Sequence, residues 1–282
     1  MEKIAIITDS ASDVSLELLK EYNISLLPFR VFYQDKEYAD RIELTPEMMY
    51  ERLKDEIPKT SLPSTELIIE TLDNLADEGY THAIFITISQ AFSGTYNAIR
   101  LICEDYDRLK TFVFDSRSLT MAEGALVVES AELTRQGKSF EEICDLLPKI
   151  RDNIELFFTI DTLEYLQKGG RIGRVASAVG QFLNLKPIIT IPDDGKFSVA
   201  SKVRGSKQAI SRLENICREY LEKDKYKVWV LDGDAKEKAY ELVEKIKEMP
   251  NVVECTYAGT IGASLGINTG PGLVGFALER VE

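Results

Sequence analysis

Ile4-Ala5-Ile6-Ile7, Ala83-Ile84-Phe85-Ile86 and Phe112-Val113-Phe114 are unbroken apolar runs of strand length, each leading through a polar turn into a helical pattern. A strand that is apolar on both faces has to be covered on both, which is the situation of parallel strands in an α/β layer. The intervening segments supply the cover. Ile68, Leu72 and Leu75 recur at helical spacing, as do Ile143, Leu146, Leu147 and Ile150, each set forming one core-facing stripe. The first half therefore reads as a Rossmann-like parallel-sheet domain.

From about Ile154 the pattern changes. Leu156 to Ile160, Lys186 to Ile191, Phe197 to Val203, Tyr226 to Leu231, Val252 to Tyr257 and Leu273 to Leu278 are strand candidates, and Asp193-Asp194-Gly195 supplies a hairpin turn, so part of this sheet is antiparallel. Two amphipathic helices, one carrying Ile210, Leu213, Cys217 and Tyr220 and the other Ala239, Leu242, Val243 and Ile246, can cover one face. The expectation is an α/β chain of two domains, 1–152 and 153–282, the second a two-layer α+β domain with a mixed or antiparallel sheet. A length of 282 residues accommodates both.

Composition removes several classes of function. One histidine, His82, and four cysteines with no C-x-x-C pair argue against zinc and iron–sulfur sites. The start, Met1-Glu2-Lys3-Ile4, runs directly into a strand-like segment without a basic region, apolar core or cleavage site, so the expectation is a cytoplasmic protein with reduced thiols. Cys255 to Leu278 is free of charge and long enough to cross a bilayer. Six glycines, Pro271 and Asn268 within it point instead to a buried, loop-rich segment, and no integral membrane span is expected.

Three motifs resemble known sites without fitting them. Gly270-Pro271-Gly272-Leu273-Val274-Gly275 satisfies G-x-G-x-x-G, but the helix, second strand and acid that a dinucleotide site needs do not follow. Gly137-Lys138-Ser139 lacks the upstream glycine of a phosphate loop and reads as a turn between helices. His82, the one available base for a serine triad, stands at the start of its strand.

Two segments are better placed for chemistry. Ser89-Gln90-Ala91-Phe92-Ser93-Gly94-Thr95 follows the Ala83 to Thr87 strand and opens the next helix. Loops at the carboxyl ends of strands are where open α/β sheets bind ligands, and a helix start offers free N–H groups to an anion. Thr60-Ser61-Leu62-Pro63-Ser64 is a second hydroxyl-rich stretch, with Ser64 placed as an N-cap. Together they suggest a cradle for a phosphate or carboxylate without an obvious general base, and so binding rather than turnover. Residues 165 to 213 hold nine Lys or Arg against Asp193 and Asp194, a balance of +7 in a chain of −13. The acidic remainder repels nucleic acid and leaves one basic face.

In order along the chain, Thr8-Asp9-Ser10, Thr60-Ser61-Leu62-Pro63-Ser64, Ser93-Gly94-Thr95-Tyr96, Leu163-Glu164-Tyr165-Leu166-Gln167-Lys168-Gly169-Gly170-Arg171-Ile172-Gly173, Lys186-Pro187-Ile188, Arg204-Gly205-Ser206-Lys207 and Gly270-Pro271-Gly272 together resemble the DegV family. The resemblance implies a two-domain α/β architecture that encloses one long-chain fatty acid between its domains. It also implies a carrier, the acyl-binding subunit of bacterial fatty acid kinase, with ATP handled by a separate kinase subunit. Carried over by position, the ligand-binding residues are Ser93 with Gly94, Thr60 in support, Arg171 and Asn268. Arg204 matches the arginine linked to the kinase subunit; no metal and no cofactor other than the bound fatty acid are implied. The family commonly has a histidine where this chain has Asn268, and an amide hydrogen-bonds but cannot become cationic.

The uncharged 255–278 segment suits an apolar tunnel wall. At roughly 0.8 kcal/mol per buried CH₂, an acyl chain of about 16 carbons gains on the order of 12 kcal/mol gross before ordering costs, so the head group need only orient it. Two other functions remain open at this level: a serine-dependent hydrolase or phosphotransferase using Ser93, and a regulatory protein that senses lipid.

Overall fold

The computed structural model describes residues 2–176 and 185–281. It divides into two compact units, Met1–Glu43 with Pro58–Asp152, and Leu44–Ile57 with Asn153–Glu282.

In the first unit β1 (Ile4–Asp9), β2 (Ser25–Leu27), β6 (His82–Thr87) and β7 (Lys110–Asp115) form a wholly parallel sheet of order β2-β1-β6-β7. Every residue of β1 is buried, as a strand covered on both faces requires. Helix α3 (Thr65–Asp77) starts at Ser64, whose hydroxyl accepts the Leu67 N–H at 3.2 Å. Its buried stripe Ile68, Leu72 and Leu75 packs with Ala5, Ile7, Ala83 and Phe85 of the sheet and with Ile99 and Cys103 of α4 (Thr95–Glu104). Truncating a residue such as Leu72 to alanine would cost roughly 2–5 kcal/mol. Helix α5 (Met121–Arg135) packs on β1 and on α6 (Phe140–Arg151). Gly137-Lys138-Ser139 is the turn between these helices, where Ser139 and Glu142 form a reciprocal capping box.

A second, three-stranded sheet of order β4-β3-β5 has no counterpart in the sequence reading: β3 (Arg30–Phe32), β4 (Glu37–Ala39) and β5 (Lys59–Ser61). Thr60 therefore lies on a strand, opposite Val31. Three residues are too few to show a period of two.

The second unit holds a six-stranded mixed sheet of order β10-β9-β8-β13-β11-β12. Its strands are β8 (Ile154–Thr159), β9 (Leu185–Thr190), β10 (Ser198–Arg204), β11 (Lys225–Gly233), β12 (Val252–Thr260) and β13 (Leu273–Val281). All pairings are antiparallel except β11 with β12. The β9–β10 hairpin turns at Asp193-Asp194-Gly195, with Gly195 at φ 71° and its N–H donating to the Pro192 carbonyl at 2.9 Å. Besides α7 (Glu164–Lys168), the unit has α8 (Ser206–Leu221) and α9 (Lys236–Lys247), whose Leu213, Cys217, Leu242, Val243 and Ile246 pack on Val228, Val230 and Phe276.

Residues 255–278 form the end of β12, helix α10 (Ala263–Thr269) and most of β13. Among the described residues no helix is long and apolar enough to cross a membrane. The segment lacks charge because β13 is an inner strand, between β8 and β11, with Leu273 through Leu278 all buried.

The division of the chain differs from the linear boundary in one respect. Residues 44–57, expected in the first domain, belong to the second unit. Helix α2 (Pro46–Arg52) reaches α10 there, and a Cβ on Gly266 would collide with Met49 and Tyr50. Such long-range packing leaves no local signature.

Candidate functional site

The Ser89–Thr95 loop leaves the carboxyl end of β6 and is tied down by its own backbone. Ser89 N–H donates to the Ser118 carbonyl at 2.8 Å, and Ser93 N–H to the Ser89 carbonyl at 3.3 Å. Gly94 is the N-cap residue of α4 and supplies no side-chain cap. Ser93 Oγ lies 2.8 Å from Thr95 Oγ1 and accepts the Thr95 N–H at 3.3 Å. Ser93 is half-buried and Thr95 fully buried. A Cβ on Gly94 would sit 3.9 Å from Leu62 Cδ2, so the Thr60–Ser64 segment passes beside this loop, with Thr60 half-buried two residues away.

His82 is at the opposite end of β6. Its Nδ1 lies 2.8 Å from Thr81 Oγ1 and its ring is 4.7 Å from that of Phe140. Among the described residues the hydroxyl and amide of Thr95 are the hydrogen-bond partners of Ser93 Oγ, and neither is a general base of the kind a serine nucleophile uses.

Behind the loop is a buried acidic group that sequence reasoning did not assign. Asp9 Oδ1 accepts the Ala11 N–H at 3.0 Å and Oδ2 the Ile88 N–H at 2.9 Å. Burial drives its pKa up from 3.8 to about 7, with Asp40 and Asp13 adding to the rise and the two amide bonds opposing it. Glu123, also buried, is pushed well above the ordinary carboxylate range, first by burial and then by the charge of Asp9. Its Oε1 accepts from Thr8 Oγ1 at 3.3 Å, and among the described residues its Oε2 has no hydrogen-bond partner. Thr120 Oγ1 donates to Asp13 Oδ2 at 2.6 Å, and Ser10 Oγ to Asp40 Oδ2 at 2.8 Å. Thr8-Asp9-Ser10 was legible as a motif, but nothing in a sequence marks an aspartate as buried. Among the described residues no group of His, Cys, Asp or Glu is arranged to hold a metal ion.

In the second unit Arg171 and Asn268 meet at Gly169. Arg171 Nη1 donates to the Gly169 carbonyl at 2.6 Å. A Cβ on Gly169 would overlap Asn268 Oδ1, and Asn268 Nδ2 donates to the Ser264 carbonyl at 2.9 Å. Asn268 is thus fixed one turn back along α10 rather than capping the turn before Pro271. Gly270, at φ 70°, packs against the Tyr165 ring and leaves no room for a side chain; the G-P-G turn is a packing device, not a nucleotide loop.

The basic stretch is less basic than its composition suggested. Lys168 pairs with Glu164 at 2.6 Å, Arg174 with Asp194 at 3.0 Å, Lys186 with Asp161 at 2.9 Å and Arg212 with Glu219 at 2.6 Å. Three of these acids lie just outside the 165–213 window, so counting within it missed them. Lys202 and Arg204, exposed on one side of β10, and Lys207 just beyond have no acidic partner among the described residues.

The fold and these loops define a two-unit α/β protein with a hydroxyl-lined loop at the carboxyl end of a parallel sheet. The family model described as "Uncharacterised protein, DegV family" matches residues 3–281, and the chain belongs to the DegV family. A DegV domain-containing protein of Clostridium acetobutylicum is 44% identical over 283 residues, spanning 99% of this chain and 100% of its own. Among solved structures, DegV of Bacillus subtilis, described as a fatty acid binding protein, superposes with a TM-score of 0.92 at 28% identity over 100% of both chains. A stearic acid-binding protein of Eubacterium ventriosum does so with a TM-score of 0.89 at 29% identity, over 99% of this chain and 98% of that one.

Proposed function

We propose that this protein binds one long-chain fatty acid and presents its carboxylate to a separate kinase for phosphorylation in the cytoplasm. The observation that carries the binding reading is the Ser93 loop, with Gly94 against Leu62 of the Thr60 segment, in a chain that superposes end to end on proteins described as binding fatty acids. In this reading Ser93 donates to the carboxylate with Gly94 beside it, and Thr60 supports it. A hydrogen bond to a charged group contributes about 1.5–3 kcal/mol, enough to orient a ligand held chiefly by its chain.

Within the second unit Arg171 and Asn268, joined through Gly169, are the proposed anion-facing pair. Arg204 is the proposed docking residue, supported by its exposure beside Lys202 and Lys207. Unpaired surface cations of this kind speed and orient encounter with an acidic partner more than they add buried contact.

Calorimetric titration with stearate tests the binding step, and saturation at one ligand per chain is expected. Adding an ATP-dependent fatty acid kinase to the loaded protein should then yield acyl phosphate. Absence of saturable binding overturns the proposal; binding without acyl phosphate overturns its kinase half.

A further inference from the structure

Thr95 is fully buried at the first position of α4, and the partner of its hydroxyl among the described residues is Ser93 Oγ, at 2.8 Å. Ser93 Oγ also accepts the Thr95 N–H at 3.3 Å. A hydroxyl carries one hydrogen and two acceptor sites. If Ser93 donated to Thr95, the Thr95 hydrogen would be buried without an acceptor, an arrangement that folded proteins avoid. Thr95 is therefore the donor. Both acceptor sites of Ser93 Oγ are then taken, one by the Thr95 hydroxyl and one by its amide, and the single hydrogen of Ser93 is left over. Because Ser93 is half-buried, that hydrogen can meet an acceptor from outside the protein.

We propose that Thr95 is a positioning residue that makes Ser93 a one-way donor, so that the site selects an acceptor-only carboxylate over a head group that must itself donate. The inference rests on the reading of Ser93 as the carboxylate-holding residue. A carboxylate has only acceptor sites to offer and matches the free Ser93 hydrogen. An alcohol of the same chain length can accept that hydrogen, but its own proton finds the lone pairs of Ser93 already occupied. A buried threonine two residues from the ligand contact thus sets which chemical class of lipid is held.

Displacement of a fluorescent fatty acid by palmitate and by hexadecanol tests this in the wild type, Thr95→Val, Thr95→Ser, Ser93→Ala and the Ser93→Ala/Thr95→Val double variant. The wild type should favour palmitate. Thr95→Val keeps the shape but not the hydroxyl, and should weaken palmitate about tenfold while narrowing its margin over hexadecanol. Thr95→Ser should restore both. In the Ser93→Ala background Thr95→Val should have no further effect, which a merely structural role for Thr95 would not produce. Should Thr95→Val fail to fold, Thr95→Ala carries the same expectation. An unchanged palmitate-to-hexadecanol ratio in Thr95→Val, or an equal loss in the Ser93→Ala background, overturns the proposal while leaving fatty acid binding intact. A wild type that binds no palmitate removes the reading of Ser93 and this inference with it.

Discussion

Asp9 accepts the backbone N–H of Ile88 at 2.9 Å, tying the end of β1 to the residue that opens the Ser89–Thr95 loop. The carboxylate doing so is buried and shares its surroundings with Glu123, Asp13 and Asp40, and Arg41 Nη1 approaches Asp13 Oδ1 at 4.0 Å.

The consequence is a pH-dependent stability of the first unit. The Asp9 pKa rises from 3.8 to about 7 on folding, so the native state binds the extra proton between those values. The contribution is most favourable below the unfolded pKa and is lost as pH rises through about 7, by on the order of 4 kcal/mol at most. Glu142, which the Ser139 amide and hydroxyl and Lys138 hold at about 2, has finished titrating well below this window. Urea midpoints should therefore fall between about pH 5.5 and 8, with Glu123, whose carboxyl is also raised, adding to the fall in the same direction, and Asp9→Asn should reduce that slope. An Asn variant with the wild-type slope would show that Asp9 is not the titrating group.

Gly169 has helical backbone angles, φ −73° and ψ −12°, where alanine is ordinarily an improvement. Here the added Cβ meets Asn268 Oδ1. Gly169→Ala should destabilise by about 1–3 kcal/mol, and Asn268→Ala in the same chain should relieve most of that. A neutral or stabilising Gly169→Ala, measured by thermal unfolding, would contradict the contact.

The parallel sheet was readable because β1 and β6 are buried on both faces and so carry unbroken apolar runs, while β7, at the sheet edge and only partly buried, keeps its Phe112-Val113-Phe114 run; the β9–β10 hairpin was readable because Asp193-Asp194-Gly195 can turn only a few ways. The short strands β3 to β5 and the membership of residues 44–57 in the second unit were not, since both depend on partners distant in sequence. The candidate site was legible as hydroxyls in Ser93 and Thr60. The direction proposed for the Ser93–Thr95 bond was not, because it rests on Thr95 being buried with Ser93 Oγ as its hydroxyl's partner among the described residues. The basic face was overread: Asp161, Glu164 and Glu219 neutralise part of it from outside the stretch that defined it.

Arg204→Ala should leave fatty acid affinity unchanged and slow acyl-phosphate formation with the kinase. The wild-type rate should fall as salt is raised, since exposed charges are screened beyond about 8–10 Å at physiological ionic strength. A rate indifferent to salt would mean that Lys202, Arg204 and Lys207 do not steer the encounter.

Native mass spectrometry of the freshly purified protein bears most directly on fatty acid binding. The wild type should carry a non-covalent adduct of fatty acid mass, one per chain. Ser93→Ala should lose most of it while remaining folded, and Thr60→Val should lose less. A wild type that carries no such adduct even after incubation with stearate, or a Ser93→Ala variant as fully loaded as the wild type, would contradict the account.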